Sequence, residues 1–251
     1  MEWIFAGVAS LFAGFIDAVV GGGGLVLLPA LFSAFPSAPA PSMLGTNKAT
    51  AVWGTGIAAS QFARRVQIRW RTVLPAALVA FAAAFGGAFL ATRISGDVLR
   101  RALPFVLLAV VVYTLARKNL GVRHDPRFAG RVEVWIACAI GVGIGFYDGF
   151  FGPGTGSFFV FLFVRALGYD FLNASASAKI LNFGTNAAAL ILFAATGHVW
   201  WHLALPLAVL NIAGALLGAR TALRRGSGFV RWVFVVVVGV LIIKTFSDAF
   251  L

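Results

Sequence analysis

The sequence predicts an all-α polytopic membrane protein built as two inverted-topology repeats, each a Gly-broken or re-entrant helix pair followed by three transmembrane helices. Three observations lead there. Of the 251 residues, 61% are hydrophobic and only 11% charged, with a mean hydropathy of +0.95, against about 25% charged in an ordinary soluble domain. Residues recur along the chain at one fixed spacing. The basic residues collect in short loops that only one arrangement of the two copies brings to the same side of a bilayer.

The recurrence sets the organisation. Asp17 and Asp148, Lys48 and Lys179, Trp70 and Trp201, Pro75 and Pro206, and Gly87 and Gly218 are each 131 residues apart (148 − 17 and so on), with no gap needed. Residues 1–118 form the first copy, 119–131 a polar linker and 132–251 the second copy. In each copy an apolar segment (about 3–20; 133–151) meets a glycine-rich break, and a shorter apolar segment follows (about 24–35; 155–168). Three runs come next, about 43–63, 72–92 and 99–116, matched by 174–196, 203–223 and 229–250. Runs near 20 residues suit helices crossing a hydrocarbon core of about 30 Å.

Charge orients the copies. If each broken pair enters and leaves on one side, the second copy is upside down relative to the first. Fourteen arginines and lysines then face the cytoplasm, in Arg64–Arg71, Arg117–Arg131, Arg165 and Arg220–Arg231, against Arg93, Arg100 and Arg101 outside. Counting each broken pair as one crossing makes the copies parallel and leaves nine inside against eight outside. The positive-inside rule selects the inverted arrangement, with both termini outside. The net charge of +12 therefore implies acidic lipid headgroups, not nucleic acid, as its partner. Met1-Glu2-Trp3 brings no basic region ahead of the first apolar run, which reads as a retained segment and not a cleaved signal peptide.

Inverted repeats with interrupted helices are the architecture of secondary transporters, so a carrier is expected. The first copy offers Asp17, Gly21, Gly22, Gly23, Gly24, Gly45, Thr46, Asn47, Lys48 and Thr50. The second offers Asp148, Gly152, Pro153, Gly154, Thr155, Gly156, Ser157, Ser175, Ser177, Lys179, Asn182, Thr185 and Asn186. Four consecutive glycines cannot hold a stable helix, and a helix restarting after them presents unpaired N–H groups with partial positive charge. Lys48 lies 16 residues before Arg64 (64 − 48), about 24 Å of helix, too deep for the surface. Amide donors, hydroxyls and two lysines describe a site for a small oxyanion. For Asp17 and Asp148 two roles stay open, an ion pair with Lys48 or Lys179 that locks the copies together, or proton coupling.

Other features read more simply. Cys138 lies in an apolar run, excludes an intramolecular disulfide and is expected to pack. His198 and His202 sit beside Trp200 and Trp201 like an interfacial belt, as do Trp3, Trp70, Trp135 and Trp232. The Gly-Xaa-Gly pattern at 141–145 suits helix packing. With no Ser/His/Asp arrangement, zinc motif or nucleotide loop in sight, no enzyme, catalytic residue, metal site or cofactor is expected.

The Gly-rich first segment with Asp17, the Gly45-Thr46-Asn47-Lys48 segment and the repeated 152–157 and 177–186 segments resemble the sulfite exporter TauE/SafE family, also called the toluene-sulfonate uptake permease family. The resemblance covers essentially the whole chain. It implies a multi-pass carrier in the bacterial inner membrane for small sulfur-containing anions such as sulfite, sulfoacetate or other organosulfonates. An anion channel, and a carrier for another small oxyanion or carboxylate, remain the alternatives. The expected partners are that anion and the lipid bilayer, and a second copy of the chain stays open as a homodimer partner.

Overall fold

The computed structural model describes residues 2–93 and 125–250. Among them are eight α-helices: α1 (Glu2–Val20), α2 (Gly24–Ala34), α3 (Ala40–Ala63), α4 (Trp70–Ala91), α5 (Gly130–Phe150), α6 (Thr155–Leu162), α7 (Phe171–Ala195) and α8 (Trp201–Phe250). A single π turn, Phe163–Leu167, continues α6, and Gly226 (φ 72°, ψ −168°) breaks α8. The starts of α2, α3 and α4 and those of α6, α7 and α8 differ by 131 each (155 − 24, 171 − 40, 201 − 70). Local chemistry at equivalent boundaries differs. Pro39 precedes α3 with Pro41 in its first turn, whereas the Asp170 carboxylate caps α7 by accepting the Asn173 N–H at 2.8 Å. The expected helix at about 99–116, and the basic residues Arg100, Arg101 and Arg117–Arg123, lie outside the described residues.

Among the described residues, five helices are long and apolar enough to cross a membrane: Glu2–Val20, Trp70–Ala91, Gly130–Phe150, Phe171–Ala195 and Trp201–Val230. This is a multi-pass membrane protein. Their outward faces carry large apolar side chains such as Ile4, Leu78, Trp135 and Val209, as a lipid environment requires. At 24 residues α3 is long enough to span but more polar, and its Thr46, Asn47, Lys48, Thr50 and Thr55 are all buried. A helix that buries this many polar groups in an apolar bundle marks the inside of something.

The tightest pairs are α4 with α5 and α1 with α8, so each joins a helix from one half of the sequence to one from the other. Small residues let the backbones touch, the usual device where lipid supplies no hydrophobic drive between helices. A Cβ on Gly14 would lie 2.1 Å from the Asn211 carbonyl oxygen, and one on Gly145 would lie 2.5 Å from that of Ala80. Gly87 against Phe146 O (2.1 Å) and Gly218 against Phe15 O (2.4 Å) repeat the relation at the same 131-residue offset. Gly149 is tighter still, at 1.8 Å from Ala84 O, while Gly143 on the same helix has nothing within 4 Å. We expect Gly149→Val to lower stability by about 2–3 kcal/mol through overpacking, and Gly143→Val to be tolerated. Thermal unfolding of the purified variants in detergent checks this; equal behaviour of the two would contradict the packing account.

One end of the bundle gathers the basic loops. Arg69 pairs with the buried Glu133 at 2.9 Å, whose other oxygen accepts the Tyr169 hydroxyl. Burial, reinforced by the Glu133 carboxylate, pushes the Tyr169 phenol above its usual range. The Arg127 guanidinium donates to Arg165 O at 3.0 Å, and the Ser227 hydroxyl to Asp170 at 3.2 Å. At the other end Phe35 meets Trp200 (5.9 Å between ring centroids) and Trp3 meets His202 (6.2 Å). Both histidines of the expected belt lie there, His198 beside the Thr196 hydroxyl at 2.9 Å.

Candidate functional site

The two glycine-rich breaks cross backbone to backbone. Gly21 ends α1 with φ at 77°, its N–H bonded to Asp17 O at 2.8 Å, and Gly152 (φ 94°) and Gly154 (φ 82°) shape the second break. A Cβ on Gly21 would fall 2.5 Å from the backbone of Gly156, and one on Gly156 2.4 Å from Gly21 Cα. The Ser157 N–H donates to Gly21 O, and the Ser157 hydroxyl lies 3.0 Å from the same oxygen. Glycine is required here twice over, for left-handed backbone and for contact that leaves no room for a side chain. Pro153 sits within the second break, and its carbonyl accepts the Tyr147 hydroxyl at 2.6 Å.

Beside this crossing lies a cavity of about 20 Å³, room for one water molecule. Asp17, Gly21, Gly22, Gly23, Gly24, Asn47, Lys48, Asp148, Gly152, Gly154, Thr155, Gly156, Asn182 and Asn186 line it, together with Ala51. The N-terminal residues of α2 and α6 therefore both border the cavity, and the positive ends of their helix dipoles favour negative charge there.

Its charges are arranged unequally. The Lys48 ammonium, ninth residue of α3, donates to Asp148 Oδ1 at 2.6 Å and to Asn186 Oδ1 at 3.0 Å. The Thr155 hydroxyl lies 2.6 Å from the same carboxylate oxygen. Lys48 and Asp148 are 2% and 1% exposed, so neither has solvent to fall back on. Among the described residues, Asp148 Oδ2 has no hydrogen-bond partner, nor has Asn47 Oδ1. Asp17 differs: Oδ1 accepts the Gly23 N–H at 3.4 Å and Oδ2 the Thr55 hydroxyl at 3.0 Å.

Two expected residues stand apart from the cavity. The Lys179 ammonium donates to the main-chain carbonyl of Asp17 at 2.9 Å and lies 5.1 Å from the centre of the Phe62 ring. It supports the end of α1 from behind, so only one of the two lysines faces the shared space. Thr46 caps the other end of the molecule, its hydroxyl oxygen accepting the Trp200 N–H at 3.1 Å. Around the site Ser175 donates to Val19 O (3.4 Å), and Thr50, Ser177 and Thr185 bond carbonyls of their own helices. Gly45 packs against His198 O.

Thr55 and Ala51 escaped the sequence reading. A signal existed: they are the 131-residue counterparts of Asn186 and Asn182 (186 − 55, 182 − 51). Among the described residues no three His, Cys, Asp or Glu side chains come together in a way that could hold a metal. A larger open groove of about 700 Å³, lined by Arg69, Arg71, Arg131, Trp70 and Trp135, lies at the basic end and contains none of the residues at the breaks.

The sulfite exporter TauE/SafE family model matches residues 6–245. The chain belongs to the TauE/SafE family. Among relatives, the Sinorhizobium "probable membrane transporter protein ORF9" is 40% identical over 97% of this chain and 92% of its own length. "Probable membrane transporter protein YfcA" of Escherichia coli K12 is 35% identical over 96% of this chain and 88% of its own. A "probable membrane transporter protein" of Haemophilus influenzae is 33% identical over 94% and 91%. No solved structure matches the chain. These TauE/SafE relatives are named as transporters, and this chain is a probable membrane transporter of the same family.

Proposed function

We propose that this TauE/SafE protein is a secondary transporter of small sulfur-containing anions, sulfite or an organosulfonate such as sulfoacetate, in the bacterial inner membrane. The observation that carries the reading is the cavity at the crossing, where an ammonium, two helix N-termini and the amides of Asn47, Asn182 and Asn186 converge. Those groups are donors that an oxyanion uses, and both halves of the chain supply them. The family's printed description, sulfite exporter, favours a sulfur oxyanion.

The two halves act as inverted repeats, 1–118 and 132–251, that rock about the crossing to expose the site alternately. The basic loops at one end mark the cytoplasmic side, and the Trp3–His202 end, with both termini, the outside. Room for one water cannot take a sulfonate, so the described conformation is a closed one, and entry requires the Lys48–Asp148 pair to part. Asn47, Lys48, Asn182 and Asn186 contact the anion, while Lys179 and Thr46 hold the framework.

A thermal-shift screen of the purified protein against sulfite, sulfoacetate, sulfate and simple carboxylates tests the class. A ligand present at 100 times its Kd stabilises the folded form by about 2.7 kcal/mol. Stabilisation by sulfite or sulfonates and not by carboxylates is the expected result; the reverse order would reassign the substrate. Counterflow in proteoliposomes is expected of a carrier, and single-channel currents of a pore.

A further inference from the structure

An anion site is expected to hold donors in excess, yet the atoms left without partners at this one are acceptors. Asp148 Oδ2 and Asn47 Oδ1 both belong to side chains that line the cavity, 1% and 4% exposed. A buried carboxylate oxygen without a protein donor is costly unless something supplies one. We infer that Asp148 is the proton-carrying group of the transport cycle: an anion entering the site draws Lys48 away from Asp148, and Asp148 Oδ2 takes up one proton from the aqueous phase in the same step. This rests on the reading of Lys48 as the anion's partner.

The described charges around Asp148 support it. Lys48 on α3 faces it directly, Asp17 on α1 lies across the same cavity, and Lys179 on α7 serves the Asp17 carbonyl. Tyr147, one residue earlier on α5, is committed to Pro153 O. No ionisable side chain occurs in α2 or α6, and α4 has none beyond Arg71. The two lysines and two aspartates therefore balance, and an added monoanion leaves the buried site one charge short of neutrality. A single proton restores it. Asp17 is a poor candidate because each of its oxygens already has a donor. A sodium ion fits less well, since an ammonium stands 2.6 Å from the same carboxylate.

The test is calorimetric binding of two monoanions, ethanesulfonate and methanesulfonate, to the purified full chain. Both ligands stay ionised between roughly pH 6 and 8, so neither brings a proton of its own. Measuring in buffers of different ionisation enthalpy counts the protons that accompany binding. The expected count is about one proton taken up per anion, with affinity rising as pH falls by up to about tenfold per unit. Asp148→Asn is expected to bind with no proton uptake and no pH dependence. Binding by the wild type without proton uptake, or binding that requires sodium, would overturn the inference while leaving the anion site in place. No binding of either sulfonate at any pH would remove the anion reading itself, and this inference with it. The wild-type proton count decides the matter even if Asp148→Asn does not fold.

Discussion

Lys48→Met is expected to weaken sulfoacetate binding at least about 100-fold. The ammonium's hydrogen bonds to a charged group are worth about 1.5–3 kcal/mol each, and every 1.4 kcal/mol is about a factor of ten. The same substitution leaves Asp148 buried without its cation and is expected to destabilise the protein by about 3–5 kcal/mol. The double variant Lys48→Met/Asp148→Asn removes both charges, so it is expected to recover most of the stability and none of the binding. Binding calorimetry alongside thermal unfolding separates the two effects. If the double variant regained both, the pair would be only a lock between the two halves of the chain.

Gly21→Ala carries the second large effect. Its Cβ would fall 2.5 Å from the Gly156 backbone, at a φ of 77° that an L residue adopts only under strain. The strain alone is about 1–2 kcal/mol and the overpacking about 1–3 kcal/mol. Gly197 has nearly the same φ, 75°, with open space around it, so Gly197→Ala measures the strain without the collision. Gly21→Ala is therefore expected to lose binding and to melt well below Gly197→Ala. Equal melting and intact binding in the two variants would show that the breaks do not need to touch.

Much of this was legible in the sequence, because the features concerned are local. Four glycines in an apolar run cannot continue a helix, and the structure ends α1 at Val20 and restarts at Gly24. A 131-residue offset survives in helix boundaries because each half meets the same packing partners, as the Gly14–Asn211 and Gly145–Ala80 contacts do. The Gly141 to Gly145 pattern falls on the α4 contact as packing requires, except at Gly143, which turns away. Long-range choices were not legible. Nothing in the spacing says that Lys48 crosses to Asp148 while Lys179 turns to a main-chain carbonyl. Thr55 was overlooked because a lone threonine in a helix is ordinary, and only its Asn186 counterpart shows it to be placed toward the same site.

The most direct test of the anion site is an experimental structure of the protein with 2-bromoethanesulfonate, whose bromine locates the ligand without ambiguity. The account predicts the sulfonate at the crossing of the two breaks, against the Lys48 ammonium, with Lys48 moved away from Asp148. A bound sulfonate elsewhere, such as the Arg69–Arg131 groove, with the Lys48–Asp148 pair still closed, would contradict it.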